Sequence, residues 1–188
     1  MRRLAAIRRR ADGAKRGPGG AALIGAVLAL MLGLACDAGA PAALDPLGPA
    51  PDFVLPLLSG GEIELGKLRG KTVVLDFWAT WCAPCEVQMP ILDALWREAG
   101  GGSLVVIGIS VDTDPPARVA AWVEERGFEY PIALGDQELA LRYGVLGFPS
   151  LVLIDPEGRI QARHMGVWSR EEIEARLEAI RLGIPAEG

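Results

Sequence analysis

Continuous apolar runs separated by short polar turns dominate the chain after about residue 52, and they predict strands. Two seven-residue runs, Thr72–Trp78 and Leu104–Ser110, have the pattern of strands that are buried on both faces. Two shorter runs, Phe53–Leu57 and Glu62–Leu65, flank a Ser-Gly-Gly turn and predict a hairpin ahead of them. This region is therefore expected to hold a small hairpin followed by two central strands.

A helical periodicity follows the first long apolar run and predicts a helix over 84–98. Val87, Ile91 and Leu95 are expected on its inner face, because residues four positions apart share one side of a helix. The glycines at 100–102 are expected to end it. The predicted strand and this helix are joined by a short loop.

Three further helices are predicted from their start and stop signals. Two are expected over 116–126 and 137–143, and the third begins after Ser169, which suits the N-cap position. Between the last two, Ser150–Ile154 and Arg159–His164 flank an Asp-Pro-Glu-Gly turn and predict a closing hairpin. Strands alternating with helices, closed by a hairpin, predict an α/β fold with a mixed sheet.

The first 36 residues indicate a targeting segment. Seven basic residues and one acidic residue, Asp12, occupy positions 1–20, and the uncharged apolar run Ala21–Ala35 follows. This run matches the core of a signal peptide better than a full membrane span, which needs about 20 residues. An uncleaved membrane anchor stays open, because flanking positive charge orients membrane segments. A buried core helix is the remaining alternative.

Cys36 ends the apolar run and is a candidate lipidation site. Its setting resembles the cleavage site of bacterial lipoproteins, although such sites usually place Leu where Gly33 stands. An ordinary thiol in an anchor helix is the alternative. Residues 37–51 are rich in Ala and Pro and predict a semi-extended linker, and 52–184 are expected to form the folded domain. The domain is expected outside the cytoplasm, where disulfides persist.

Composition and charge narrow the classes of function. The chain has 188 residues, 51% of them hydrophobic, and a formal net charge of −5. Beyond residue 20 it carries 12 basic and 23 acidic residues, which argues against nucleic-acid binding because phosphate contacts need clustered Lys and Arg. Three cysteines are too few for a four-thiolate zinc site or a disulfide-dense scaffold. No cofactor is expected.

Cys82 and Cys85 form a Cys-x-x-Cys motif between a predicted buried strand and a predicted helix. The spacing lets the two sulfurs meet across the first helical turn, where backbone N–H groups stabilise a thiolate on the first cysteine. Pro84 suits that turn, because its missing N–H is not needed there. A zinc half-site would need a second pair of ligands, for which Cys36 and His164 remain. Two structural thiols are the other alternative.

The stretch Val74–Cys85 resembles the active-site segment of the thioredoxin superfamily. The wider pattern, over roughly 50–183 and including Tyr143–Ser150, resembles the membrane-tethered thiol–disulfide oxidoreductases of the TlpA/ResA type. The resemblance implies a thioredoxin-like fold, with a central mixed sheet flanked by helices and an N-terminal β-hairpin extension. It also implies reduction of disulfides in exported proteins or apocytochromes c, with electrons from a membrane donor.

The resemblance implies a role for each residue of the motif. Cys82 corresponds to the exposed attacking thiol, and Cys85 corresponds to the buried thiol that releases the substrate. Pro149 matches the cis-proline loop beside the cysteine pair, and Phe148 would offer its backbone to an extended substrate segment. Trp81 is expected on the exposed rim. The residues expected to contact substrate are Trp81, Pro84, Phe148 and Pro149.

Asp76 lies six residues before Cys82, the spacing of the buried acid in thioredoxins. A carboxylate inside an apolar strand is costly unless it is protonated or paired, so a raised pKa and proton exchange with Cys85 are expected. A structural Asp that bonds the backbone is the alternative. Gln88 stands where many TlpA/ResA-like proteins have Glu, so Asp76 is expected to handle the proton alone. This departure weakens assignment to cytochrome c maturation.

Two other functions stay open. A thiol peroxidase of the peroxiredoxin type would share the Asp-Phe opening of the domain, but Ala79 stands where such enzymes place Thr or Ser. A copper-binding module of thioredoxin fold would use Cys82, Cys85 and His164, although such proteins typically separate their cysteines by three residues. An ordinary strand residue is the alternative for His164.

Overall fold

The structure, a computed structural model, describes residues 47–184. The predicted targeting segment over 1–36, with its candidate lipidation site, and the linker as far as residue 46 lie outside the described residues. Within the described range, no helix is long and apolar enough to cross a membrane.

The last residues of the predicted linker are described, and they contact the sheet. The Leu47 N–H donates to the Ile160 carbonyl at 2.8 Å, and the Ala50 N–H donates to the Gly158 carbonyl at 2.9 Å. The Ala50 side chain is buried. The chain therefore enters the domain along the closing hairpin.

Seven strands and four α-helices make up the described part of the chain. The strands are β1 (Val54–Pro56), β2 (Glu62–Glu64), β3 (Thr72–Trp78), β4 (Leu104–Ser110), β5 (Ile132–Leu134), β6 (Ser150–Ile154) and β7 (Ile160–Met165). The α-helices are α1 (Cys85–Ala99), α2 (Pro116–Arg126), α3 (Gln137–Arg142) and α4 (Arg170–Leu182). Every predicted strand and helix is confirmed within one or two residues at its ends.

Five strands form the central sheet in the order β5-β4-β3-β6-β7. The neighbours β3, β4 and β5 run parallel, whereas β6 and β7 run antiparallel to their neighbours. β1 and β2 pair separately as an antiparallel hairpin. The predicted mixed sheet and the predicted N-terminal hairpin are both confirmed.

β3 is the middle strand and leads the chain to the cysteine pair. All of its residues from Val73 to Trp78 are buried, because β4 and β6 cover its edges and side chains pack on both faces. The strand ends at Trp78, and a short loop connects it to α1, which begins at Cys85. The cysteine motif therefore lies at the carboxyl end of the most buried strand.

The inner face of α1 differs from the prediction. Val87, expected inside, is 58% exposed, whereas Met89 and Leu92 are fully buried. Cys85 is also fully buried at the start of the helix, so the residues three, four and seven positions after it face the sheet. The predicted stripe was wrong at Val87 because the burial of Cys85 sets the rotation of the helix.

Two short elements have no counterpart in the prediction. β5 is a three-residue strand beside β4, and Leu65–Leu68 form a 3₁₀ helix after the hairpin. Neither is long enough to show a periodicity. The last helix does match its expected start, since Ser169 accepts a hydrogen bond from the Glu172 N–H in a capping box.

Candidate active site

The two cysteines lie side by side where the loop after β3 enters α1. They form a disulfide with a Cα–Cα separation of 5.3 Å, within the ordinary range for such bonds. Backbone bonds shape the turn: the Cys82 N–H donates to the Ala79 carbonyl, and the Cys85 N–H donates to the Cys82 carbonyl, each at 3.0 Å. The predicted meeting of the two sulfurs across the first helical turn is confirmed.

Cys82 is more exposed than Cys85, as expected, but it is far less exposed than expected. Cys85 is fully buried, whereas Cys82 keeps 5% of its surface exposed. The implied exposed thiol at Cys82 is wrong for this oxidised form. The physical reason is the disulfide itself, which holds the Cys82 sulfur against that of a fully buried residue. A reacting partner can reach the pair only from the Cys82 side.

Asp112, which the sequence analysis did not single out, anchors the loop ahead of Cys82. Its carboxylate accepts hydrogen bonds from the Thr80 N–H, at 3.0 and 3.1 Å, and from the Thr80 hydroxyl at 2.6 Å. It also accepts the Ser110 hydroxyl at 2.8 Å. Because Ser110 ends β4, this carboxylate ties the active-site loop to the neighbouring strand.

Asp76 lies in the middle of β3 and is fully buried. Its Oδ2 accepts a 3.0 Å hydrogen bond from the hydroxyl of Tyr130, and its Oδ1 has no partner among the described residues. Burial raises the pKa of Asp76 from its ordinary 3.8 to about 7, and the Tyr130 hydrogen bond opposes that rise. The expected buried acid is present, and its partner is a side chain, not the backbone.

The space around Asp76 depends on Gly108, its neighbour across the β3–β4 pairing. A methyl group at Gly108 would lie 2.5 Å from Cδ1 of Ile132, 3.0 Å from Nε1 of Trp78 and 3.1 Å from Cε2 of Tyr130. A larger residue would therefore displace the Ile132 side chain and crowd the indole of Trp78 and the ring of Tyr130. This glycine leaves room for the ring of Tyr130, whose hydroxyl bonds the acid.

Gln88 is fully buried, one helical turn after Cys85. Its Oε1 accepts a 2.7 Å hydrogen bond from the backbone N–H of Trp168, in the segment between β7 and α4. Gln88, which stands where many TlpA/ResA-like proteins have Glu, therefore joins α1 to that segment. An amide does not ionise, so this position supplies no proton to Cys85.

The rim of the site is apolar. Trp81 is 69% exposed, and its ring meets the half-buried ring of Phe148 edge-on, with centroids 5.8 Å apart. The Phe148–Pro149 peptide bond is cis, as the resemblance implied, and Pro84 is exposed at the start of α1. The Gly166 N–H donates to the Pro149 carbonyl at 2.8 Å. Further exposed apolar side chains belong to the segments flanking these residues: Leu146, Met165 and Val167.

His164 lies in β7, as expected for a strand residue, and its ring stacks on Trp168 with centroids 4.7 Å apart. The copper-binding alternative would need this ring beside the two cysteines. In the part of the chain that the structure describes, no three His, Cys, Asp or Glu side chains cluster in a way that could hold a metal ion.

Fold and site together define the class of protein, a thiol–disulfide oxidoreductase with a thioredoxin-like fold, and comparison with known proteins gives the same class. The chain belongs to the AhpC/TSA family, whose model matches residues 47–163. Among similar proteins is the thiol-disulfide oxidoreductase ResA of Geobacillus thermodenitrificans. It is 37% identical over 133 residues, which cover 70% of this chain and 76% of the relative.

Solved structures show the same fold. A putative thiol:disulfide interchange protein DsbE from Chlorobium tepidum matches with a TM-score of 0.66 and 28% identity, covering 73% of this chain and 98% of that one. The exposed lipoprotein thioredoxin Etrx1 of Streptococcus pneumoniae matches with a TM-score of 0.62 and 28% identity, covering 70% of this chain and 99% of that one. The predicted thioredoxin-like fold is confirmed.

Proposed function

We propose that this oxidoreductase reduces disulfides in exported proteins or apocytochromes c, through a dithiol–disulfide cycle of Cys82 and Cys85. The observation that carries the proposal is the placement of the pair. Cys82 is the only one of the two with any exposed surface, Cys85 is fully buried behind it, and a buried acid lies on the adjoining strand. This asymmetry suits a two-step exchange in which each sulfur has a separate task.

In the first step the Cys82 thiolate attacks one sulfur of the substrate disulfide. A mixed disulfide forms between Cys82 and the substrate, and the second substrate sulfur leaves as a thiolate that takes up a proton from water. The N-terminus of α1, a 15-residue helix, favours negative charge on the Cys82 sulfur. Attack by Cys85 on a protein substrate is disfavoured, because Cys85 has no exposed surface.

In the second step Cys85 resolves the mixed disulfide. Its thiol gives a proton to the Asp76 carboxylate and attacks the Cys82 sulfur, which forms the Cys82–Cys85 disulfide and expels the remaining substrate thiolate. The substrate disulfide has then gained two electrons and the dithiol has lost two. A pKa of about 7 suits Asp76 to this transfer, because such a group changes protonation state near neutral pH.

A thiol donor must return the enzyme to the dithiol form. We assign this role to a membrane-bound dithiol protein that runs the same exchange in reverse: it attacks Cys82, and Asp76 reprotonates Cys85 as that sulfur leaves. The extracytoplasmic location and the tether are supported by the basic and apolar character of residues 1–36 and by Cys36. The similar Etrx1 of Streptococcus pneumoniae is itself an exposed lipoprotein.

The apolar rim supports binding of unfolded or extended substrates. Trp81 and Phe148 offer ring surface beside Cys82, and Phe148 precedes the cis peptide whose backbone can pair with an extended segment. The substrates are therefore exported chains with an oxidised cysteine pair in an extended region.

Neither competing activity gains support from the site. Ala79 is buried and places no hydroxyl beside Cys82, as a peroxidase of the peroxiredoxin type would need. The copper module would need the imidazole that instead stacks on Trp168.

The proposal is tested by reduction of a disulfide-bonded protein by the full chain, with a dithiol as electron donor. The wild type is expected to turn over, and Cys82→Ser is expected to lose activity. The reduction potential of the Cys82–Cys85 couple tests the direction of electron flow: a value of about −270 mV supports a reductase, whereas a value of about −120 mV would make the protein an oxidant.

A further inference from the structure

Tyr130 reaches the middle of β3 from the segment between α2 and β5. Its ring is almost fully buried, and its hydroxyl is the sole hydrogen-bond partner that the described residues give to the Asp76 carboxyl. The two residues are 54 positions apart in the chain, so the contact depends on the tertiary fold. The proposed exchange gives this hydroxyl no role in either step.

The backbone of Tyr130 is held by the helix that begins at Cys85. Oδ1 of Asp93 in α1 accepts the Tyr130 N–H at 3.1 Å and the Glu129 N–H at 2.8 Å. The other Asp93 oxygen pairs with Arg97 at 2.8 Å. The helix that carries the resolving cysteine therefore also fixes the position of the tyrosine.

The hydroxyl determines which oxygen of Asp76 can carry the proton. Burial and the neighbouring Asp76 raise the pKa of Tyr130 well above 10, so its O–H stays protonated and donates. Oδ2, which accepts that bond, is engaged, and the acid proton of Asp76 is left for Oδ1. We infer that Tyr130 is a positioning residue: its hydroxyl orients the Asp76 carboxyl so that Oδ1 exchanges the proton with Cys85.

This inference rests on the proposed role of Asp76 in resolving the mixed disulfide. Few other groups affect the pKa of Asp76. Among the described titratable side chains, Tyr130 alone acts on the pKa of Asp76 beside burial, and Asp93, paired with Arg97, acts on Tyr130. Once the disulfide is reduced, the Cys85 thiol is a further titratable group beside these side chains.

The test separates attack from resolution in the full-length, reduced protein. Mixing with the chromogenic disulfide dithiobis(nitrobenzoate) in a stopped-flow instrument gives two releases of thionitrobenzoate, the first from attack by Cys82 and the second from resolution by Cys85. The rate of the second phase is measured against pH. The midpoint of that curve, the pH at which the rate is half its maximum, reports the pKa of the group that accepts the proton. Asp76→Asn, Tyr130→Phe and Tyr143→Phe are compared with the wild type.

Tyr130→Phe is expected to move the midpoint of the second phase upward by about one pH unit, because the carboxylate loses the hydrogen bond that favours its charged form. The first phase should keep its rate. Tyr143→Phe is the matched control: Tyr143 is another buried tyrosine, and its hydroxyl donates to the Pro51 carbonyl at 2.5 Å, away from Asp76. Its midpoint should equal that of the wild type.

The outcomes distinguish the two levels of the account. Suppose that Tyr130→Phe keeps the wild-type midpoint and that the pH dependence disappears in Asp76→Asn. This result would overturn the role of Tyr130 and leave that of Asp76 intact. A wild-type midpoint in Asp76→Asn would overturn the role of Asp76 itself. If Tyr130→Phe fails to fold, 3-fluorotyrosine at position 130 replaces it. The stronger donor should move the midpoint downward, and no movement would contradict the inference.

Discussion

The indole ring of Trp81 meets the phenyl ring of Phe148 edge-on, at a centroid distance of 5.8 Å. One ring comes from the loop before Cys82 and the other from the residue before the cis-proline. Edge-to-face contact lets the two segments support each other, although Trp81 itself is mostly exposed. The pair therefore forms a partly exposed apolar surface at the rim of the site, where the proposed function places substrate contact.

Trp81→Ala is expected to raise the KM for a disulfide-bonded protein about tenfold and to change kcat little. The reason is loss of apolar contact area, which acts on binding and not on the sulfur chemistry. The matched control is Leu182→Ala, since Leu182 is 52% exposed at the end of α4 and is expected to leave KM unchanged. Steady-state reduction of the protein disulfide measures both values, and an unchanged KM in Trp81→Ala would contradict the role of the rim.

The buried acid should make stability depend on pH. The pKa of Asp76 is about 7 in the folded protein against an ordinary 3.8, so the unfolded chain ionises first as pH rises. The unfolding free energy is therefore expected to fall by about 3 kcal/mol between pH 4 and pH 7 from this group alone. Asp76→Asn should remove that decline and be the more stable protein near neutral pH. Denaturant titrations across this range test it, and equal slopes in the two proteins would contradict it.

The same substitution should slow one chemical step and spare the other. Asp76→Asn is expected to slow resolution of the mixed disulfide by about 10²-fold, the size of a lost general-base contribution. Attack by Cys82 should change much less, because the helix terminus, not the acid, stabilises that thiolate. Single-turnover kinetics of both steps provide the measurement. Equal slowing of attack and resolution would remove Asp76 from proton transfer.

Much of the fold could be predicted from local patterns. β3 and β4 are continuous apolar runs, and α1, α2 and α4 carry stop or cap residues at their ends, so each appears in the sequence as a single signal. The short strand β5 could not be found this way, because three residues show no periodicity. Its place is fixed by pairing with β4, which is a tertiary contact.

In the site, too, residues close together in the sequence could be predicted, whereas residues that meet only in the folded structure could not. The cysteine pair and Asp76 are visible because they lie within ten residues of one another. Tyr130 and Asp112 were missed, since each meets its partner across more than 30 positions and neither belongs to a motif. The exposure of Val87 was also missed, because the buried face of α1 follows from the placement of Cys85.

The tether is tested by fractionation. Cys36→Ala is expected to release the protein from the membrane fraction if a lipid on that cysteine holds it, because a single cysteine carries the lipid. Persistent membrane association of Cys36→Ala would contradict lipidation and assign the anchor to the apolar run over 21–35. Radiolabelled fatty acid incorporation into the wild type and the variant gives an independent reading of the same question.

Trapping with Cys85→Ser tests the central claim most directly. The full-length variant is incubated with a disulfide-bonded protein substrate and separated on a non-reducing gel. The account predicts a stable mixed disulfide joining Cys82 to the substrate, absent from Cys82→Ser, because the buried Cys85 resolves that bond in the wild type. Full turnover by Cys85→Ser, with no trapped species, would contradict the two-step exchange.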